Sequence, residues 1–373
     1  MADFSPDSIE GRPPASAVPP AEASDAPPSR PEPTQDSLSA EDLPPVEPPS
    51  ARFILQLFLV PGLIVSAVIG VWALFGKISS SEQDWRQQIV EMRSNNEHRR
   101  WRGANGMAQM LRADIERGTD GQQLSRNPAI AKELADLLAD LLDEPASDKE
   151  LISQQSFVTT TLGWLDAHEI VVPVLLSATA AQRDQIVQAD AIRSLARIAG
   201  RAGETGTRFN QPEISDRLIQ ASQDQSPLIR QLCAYTLALV DGPGVEQRLR
   251  IMMEDRDKNT QVNAAIALAR RNSTAGLPVF LRVLRSATLP VNPESMDGET
   301  ELLRQAQAEK QAAMNAVALV NVLQAIEDIH SKLDHDQVRE IRGLIEPVAA
   351  EYDIIRIRLR AQGTLRTIDT LQK

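Results

Sequence analysis

The sequence predicts an all-α protein: an α-solenoid of stacked helix pairs that follows a disordered tail and one transmembrane helix. Three observations carry this reading. From about residue 104 onward, apolar residues recur at helical spacing with no convincing alternating run, the pattern of amphipathic helices rather than strands. Two segments repeat one another at an offset of 31 residues, and self-similarity at such a period marks stacked helical repeats. Residues 53–76 are 24 consecutive positions without a charge, which no half-exposed surface helix would show.

The first element is the tail, residues 1–52. Thirteen of the 24 prolines and ten acidic residues fall in residues 1–50, against only Arg12 and Arg30. Its larger apolar side chains are Phe4, Ile9, Val18, Leu38, Leu43 and Val46. Burying all six gains about 12 kcal/mol at ~2 each, whereas fixing some fifty backbones costs roughly 1–2 kcal/mol apiece. The tail is therefore expected to stay disordered. Its proline pairs favour extended polyproline stretches, better read as a spacer than as a ligand.

The second element is the run from Phe53 to Gly76. At about 1.5 Å per residue it reaches roughly 36 Å, enough for a hydrocarbon layer of about 30 Å. It begins too far into the chain and runs too long for a cleavable signal peptide. The run is expected to remain as a single-pass anchor in the lipid bilayer of the cell's inner membrane. Arg52 and Lys77 bracket it, and Trp72 and Phe75 fall where interfacial aromatics sit. Gly62, Ser66 and Gly70 form a strip of small residues four apart, which permits close packing of two such helices and hence a homodimer. Lys77, Arg86 and Arg93 follow the span while only Arg52 closely precedes it, so the positive-inside rule directs residues 77–373 to the cytoplasm. Residues 77–103 read as a basic juxtamembrane link whose Trp85, Ile89 and Met92 stripe would rest on the lipid surface.

Residues 104–373 form the helical domain. Asn127 and Pro128 supply an N-cap and first-turn pair ahead of Ile130, Leu134, Leu137, Leu138, Leu141 and Leu142, one apolar stripe. Further on Asp224 matches Asp255, Ala234 matches Ala265, Leu237 matches Leu268 and Ala238 matches Ala269; Cys233 and Thr236 match Ala264 and Ala267. After each alanine-rich helix comes a turn and a second stripe, Val245, Leu249 and Met252 in one unit and Leu277, Leu281 and Leu284 in the next. A weaker copy precedes them with Val187, Ala191, Ser194, Leu195 and Ala196, and Val172-Pro173-Val174 echoes Leu277-Pro278-Val279.

The run S-P-L-I-R-Q-L-C-A-Y-T-L-A-L and its partner N-T-Q-V-N-A-A-I-A-L-A-R resemble the first helices of HEAT-like repeats, the short bacterial kind also found in phycobilisome-lyase-type proteins. Asp224, Ile229, Arg230, Ala234 and Leu237 fit that pattern, clearest over 170–286. The later unit carries Thr260-Gln261 where the pattern has Val-Arg, so Asp255 is expected to lack an arginine partner. The resemblance implies a stack whose neighbours share one continuous core. Residues 300–373 would then cap it: Val338, Ile341, Ile345, Val348, Tyr352, Ile355 and Leu359 have the spacing of a coiled-coil seam, but Gly343 and Pro347 interrupt it and favour two short capping helices.

Chemistry is sparse. The sequence has no phosphate-binding loop, dinucleotide fingerprint, nucleophile elbow or paired-histidine zinc motif. Of His98, His168, His330 and His335, only the last two are neighbours, and a solvated helix end explains them with Asp334. Lone Cys233 aligns with an alanine and reads as a small core residue. No catalytic residue, metal ligand or cofactor site is expected. The net charge of −12 leaves the part after the span with 36 basic against 41 acidic residues, which excludes a nucleic-acid binder. In the second helices Arg217 aligns with Arg248 and Arg250 with Arg282, with Arg285 one turn on, a candidate ridge for an acidic protein partner. The expected function is a membrane-anchored, non-catalytic protein-binding scaffold or adaptor. Its competitors are an enzyme or accessory subunit of the lyase-like HEAT type, and an envelope structural protein working through the proline-rich tail.

Overall fold

The computed structural model describes residues 59–60, 62–71, 84–144, 148–203, 209–297 and 300–369. It comprises two units, Met1–Ser81 and Glu82–Lys373. The tail and both ends of the apolar run lie outside the described residues. In the first unit the centre of that run is a helix, α1 (Gly62–Val71), with Leu63 64% and Val68 62% exposed. A Cβ placed on Gly62 or Gly70 would meet nothing within 4 Å.

The second unit is built from α2 (Trp85–Met92), α3 (Glu97–Arg117), α4 (Pro128–Asp143), α5 (Lys149–Leu162), α6 (His168–Ala178), α7 (Gln185–Gly203), α8 (Pro212–Ala221), α9 (Pro227–Leu237), α10 (Val245–Met252), α11 (Lys258–Arg270), α12 (Leu277–Ala287), α13 (Glu301–Ile329), α14 (His335–Glu351) and α15 (Ile355–Asp369). Helices α5, α7, α9, α11, α13 and α15 pack side by side in that order as one layer, and the intervening helices form the second. This is an all-α solenoid of stacked helix pairs. Beside the helices, β1 (Phe209–Asn210) and β2 (Val240–Asp241) make a two-residue parallel bridge, too short to leave an alternating pattern.

Helix starts follow the sequence signals. Asn127 accepts the Ala129 N–H at 2.9 Å, and Asp84, Asp148 and Asp257 cap α2, α5 and α11 in the same way, satisfying donors that a first turn leaves free. All six stripe residues of α4 are buried. Helix α11 explains the alanine content: Ala264 to Ala269 are all buried, because Ala264, Ala267 and Leu268 face one core cluster while Ala265, Ile266 and Ala269 face the next. A helix sandwiched between α9 and α13 has no face left for large side chains. Together the two clusters extend from Ile89 to Ile368.

Several expectations are corrected. The stripe assigned to lipid packs inward: Ile89 and Met92 are 4% and 7% exposed, because α2 folds against α3. The approach is so close that a Cβ on Gly103 would lie 2.7 Å from the Gln88 carbonyl. The arginines of the expected link are likewise committed, Arg93 to Asp140 at 2.8 Å, Arg100 to Glu150 at 3.2 Å and Arg102 to Glu91 at 2.9 Å. The helical domain therefore starts near residue 84, and the expected boundary at 103/104 falls inside α3.

At the other end α14 runs through both Gly343 and Pro347. Proline removes one backbone donor, whose acceptor would have been the carbonyl of Gly343, and a glycine there eases the ring's approach to the preceding turn. The break comes instead between Glu351 and Ile355, so Val338, Ile341, Ile345 and Val348 are core while Ile355 and Leu359 are exposed. Pro173 lies inside α6, whereas Pro278 opens α12, so the two Val-Pro-like triplets are out of register. Helix α13, with its short extension to Lys332, is long and apolar enough to cross a membrane by composition. Its second half instead supplies Leu319, Val322, Leu323, Ile326 and Ile329 to the core, and its first turns leave Leu302 and Leu303 exposed.

Candidate binding surface

The arginines aligned in the sequence do not make one ridge. Arg217 donates from Nε to the Thr179 hydroxyl at 2.9 Å, and Arg248 donates to the Ser222 hydroxyl at 2.6 Å and the Ser222 carbonyl at 2.9 Å. Thr179 and Ser222 are the residues that end α6 and α8. Aligned arginines thus staple each second helix to the end of the one before. Burial pushes the Arg248 guanidinium below its ordinary value, partly offset by Asp255. The other three are exposed but paired within the chain, Arg250 with Glu246 at 2.7 Å, Arg282 with Gln261 at 2.6 Å and Arg285 with Glu340.

A second device lies between first helices. Arg230 forks onto Asp255, Nε to Oδ2 at 2.8 Å and Nη2 to Oδ1 at 2.9 Å, and spends Nη1 on the Asp224 and Gln225 carbonyls at 3.0 and 2.8 Å. Asp255 does have its arginine, supplied by the preceding repeat. Gln261, which replaces arginine in its own repeat, still donates to the Asp255 carbonyl. Burial raises the Asp255 carboxyl, but the Arg230 guanidinium and the Asp257 N–H outweigh it and hold it below the usual carboxylate range.

The residues in neither device stand on the layer of first helices. Trp164, in the turn after α5, is 46% exposed, as is Tyr235 on α9. Each carries an arginine from the following first helix over its ring: Arg197 4.7 Å from the Trp164 centroid and Arg270 5.7 Å from that of Tyr235. Arg197 and Arg270 occupy equivalent positions once the three copies are aligned. Gly163 leaves room for this crossing, since a Cβ there would run into Arg197 Nη1.

Along α7, Arg193, Arg197 and Arg201 recur every fourth residue and so share one face. Arg193 is paired with Asp190 at 2.7 Å. Arg201 is held by Asp166 at 3.0 Å and by the Gly163 and Leu165 carbonyls at 2.8 Å. Arg197 has only the Trp164 ring and a long 3.3 Å bond to the Thr160 carbonyl, with no carboxylate partner among the described residues. Burial and then the neighbouring charge of Arg201 push its guanidinium below the ordinary value. This is a half-buried cation between two arginines that already have carboxylates.

Other features are self-contained. A polar groove of about 340 Å³ between the α2–α3 turn, α4 and α5 is lined by Arg93 and Arg100, which pair with Asp140 and Glu150, and by the further carboxylates of Glu144 and Asp148. Cys233 is fully buried, and burial raises its thiol far above the ordinary value. The His330 Nδ1 lies 2.6 Å from the Glu327 carbonyl, and Asp334 caps α14 in a capping box with Gln337. Among the described residues no three ligating side chains converge.

The sequence reading missed Trp164 and Tyr235. The available signal was scarcity: with four tryptophans and two tyrosines in 373 residues, an exposed one on a repeat helix stands out.

Residues 214–292 match the family model for HEAT repeats. No curated protein sequence matches the chain significantly. Among solved structures, YibA from Escherichia coli aligns at 12% identity over 79% of this chain and 96% of its own, TM-score 0.38. The complex of CpcE and CpcF of phycocyanin lyase from Nostoc sp. PCC7120 aligns at 15% identity over 78% of this chain and 96% of that chain, TM-score 0.38. An engineered protein gives 18% identity over 77% and 97%, TM-score 0.32. At these scores the likeness assigns neither activity nor partner.

Proposed function

We propose that this chain is a membrane-anchored HEAT-repeat scaffold that binds a protein partner on its layer of first helices and performs no catalysis of its own. The observation that carries the reading is the pair of half-exposed aromatics, Trp164 and Tyr235, each under an arginine, in a protein whose core is mainly alanine, leucine, isoleucine and valine. Tryptophan, tyrosine and arginine are the residue types that dominate binding energy at protein interfaces. A repeat stack presents such residues at regular intervals along an extended surface.

The anchor is the uncharged run 53–76, whose described part is helical with its apolar residues exposed. In this reading the Gly62, Ser66 and Gly70 strip supports close pairing of two anchors, and residues 77–373 face the cytoplasm. Alkaline extraction of membranes tests the anchor: the full chain should stay in the pellet, and release into the supernatant would refute it. A reporter fused after Lys373 tests the side, since activity of a reporter that works only outside the cytoplasm would overturn the orientation. Crosslinking in intact cells should recover a defined protein complex; a chain that crosslinks to no protein would overturn the scaffold.

A further inference from the structure

Arg197 is the feature that the fold itself does not use up. Every other arginine on its face has a carboxylate within an ion-pair distance: Arg193 has Asp190, and Arg201 has Asp166. Asp190 is further occupied by the Ser156 hydroxyl, so it has little to offer a second cation. Arg197 lies over Trp164, its Cζ 4.7 Å from the ring centroid, and its one hydrogen bond, at 3.3 Å, leaves most of its donor edge unspent. A guanidinium with unspent donors can take a carboxylate in a bidentate contact. The adjacent indole offers flat apolar area that costs little side-chain entropy to bury.

We infer that Trp164 and Arg197 anchor a site for an acidic peptide segment of the partner protein, one glutamate or aspartate carboxylate docking on Arg197 and the neighbouring backbone lying across Trp164. The inference rests on the scaffold reading and adds the chemistry of what is bound. Charge complementarity selects the occupant: on this face of α7 Arg193 and Arg201 are answered by Asp190 and Asp166, and Arg197 between them has no carboxylate partner among the described residues. An incoming carboxylate would supply the partner that Arg197 lacks. Tyr235 and Arg270, at the equivalent place two first helices along, would extend the same track for a longer segment.

The test uses the full chain in lipid nanodiscs and a fluorescein-labelled deca-glutamate peptide as the probe, read by anisotropy, with deca-glutamine as the uncharged control. Wild type should bind deca-glutamate saturably, bind deca-glutamine weakly, and lose affinity as salt rises. Arg197→Gln should weaken binding by about tenfold or more, and Trp164→Ala by a similar factor, while Arg250→Gln on the opposite layer should leave it unchanged. If Arg197→Gln lowers the melting temperature, Arg197→Lys and Trp164→Ala decide, because one keeps the charge and the other changes a surface side chain. Absence of saturable binding by wild type, or equal binding by well-folded Trp164→Ala and Arg197→Lys, overturns the site. A partner crosslinked equally to wild type and Arg197→Gln would overturn the site while leaving the scaffold standing; no partner crosslinked to either would remove the scaffold.

Discussion

Replacing Asp255 with alanine tests whether the arginine fork between first helices carries the stack. Asp255 and Arg230 are 12% and 6% exposed and share two charge-assisted bonds. Removing one partner of a buried ion pair costs about 3–5 kcal/mol when the other charge is stranded. Here Arg230 keeps the Asp224 and Gln225 carbonyls, so the low end, about 3 kcal/mol, is expected. Arg230→Met should cost a comparable amount, and the double variant clearly less than the sum, with a coupling of roughly 1.5–3 kcal/mol. The pH dependence follows from the depressed carboxyl of Asp255. A group whose folded value lies below its unfolded one stabilises fully above the unfolded value, about pH 4, and loses that contribution as pH falls through the folded value. The gap between wild type and Asp255→Ala should therefore be full near neutrality and shrink on acidification below about pH 4. Urea titration of the full chain measures the gap, and hydrogen exchange locates it. Because repeat stacks are coupled mainly between neighbours, loss of protection should centre on α9 to α12. A cost below about 0.5 kcal/mol, or additive single variants, would show that the Arg230–Asp255 fork does not hold the stack.

Three further outcomes are expected. Cys233, fully buried with its thiol driven upward, should resist a maleimide in the folded chain and react at once in denaturant; rapid labelling of native protein would contradict the packing. Gly103→Leu should destabilise the α2–α3 hairpin by at least about 1–3 kcal/mol, read by denaturation, because even a Cβ collides with the Gln88 carbonyl at 2.7 Å; an unchanged midpoint would show that α2 is not docked. Leucine at both Gly62 and Gly70 should abolish a crosslinked dimer in membranes, and a dimer that persists would show that the small-residue strip is not its seam.

The repeat register is legible in the sequence because a helix buried on two sides admits only small side chains, and Cys233, Ala234, Ala264 and Ala265 recur for that reason. The first hairpin misleads because a stripe such as Trp85, Ile89 and Met92 satisfies a lipid surface and a protein core equally well. Only the partner helix, with Gly103 facing it, distinguishes the two. Arginine alignment likewise locates equivalent positions but not what they touch. Arg217 and Arg248 end on hydroxyls 38 and 26 residues away, contacts set by the stacking of repeats. The surface pair Trp164 and Arg197 depends on the turn after α5 meeting the face of α7, a juxtaposition no local pattern encodes.

The most direct test of the account compares the two layers in living cells. A photocrosslinking amino acid is placed at Trp164 or Tyr235 on the first-helix layer, and at Gln247 or Arg250 on the second, in the full chain. The same crosslinked protein is expected from positions 164 and 235 and none from 247 or 250. Crosslinks confined to the second layer, or absent from all four positions, would contradict it.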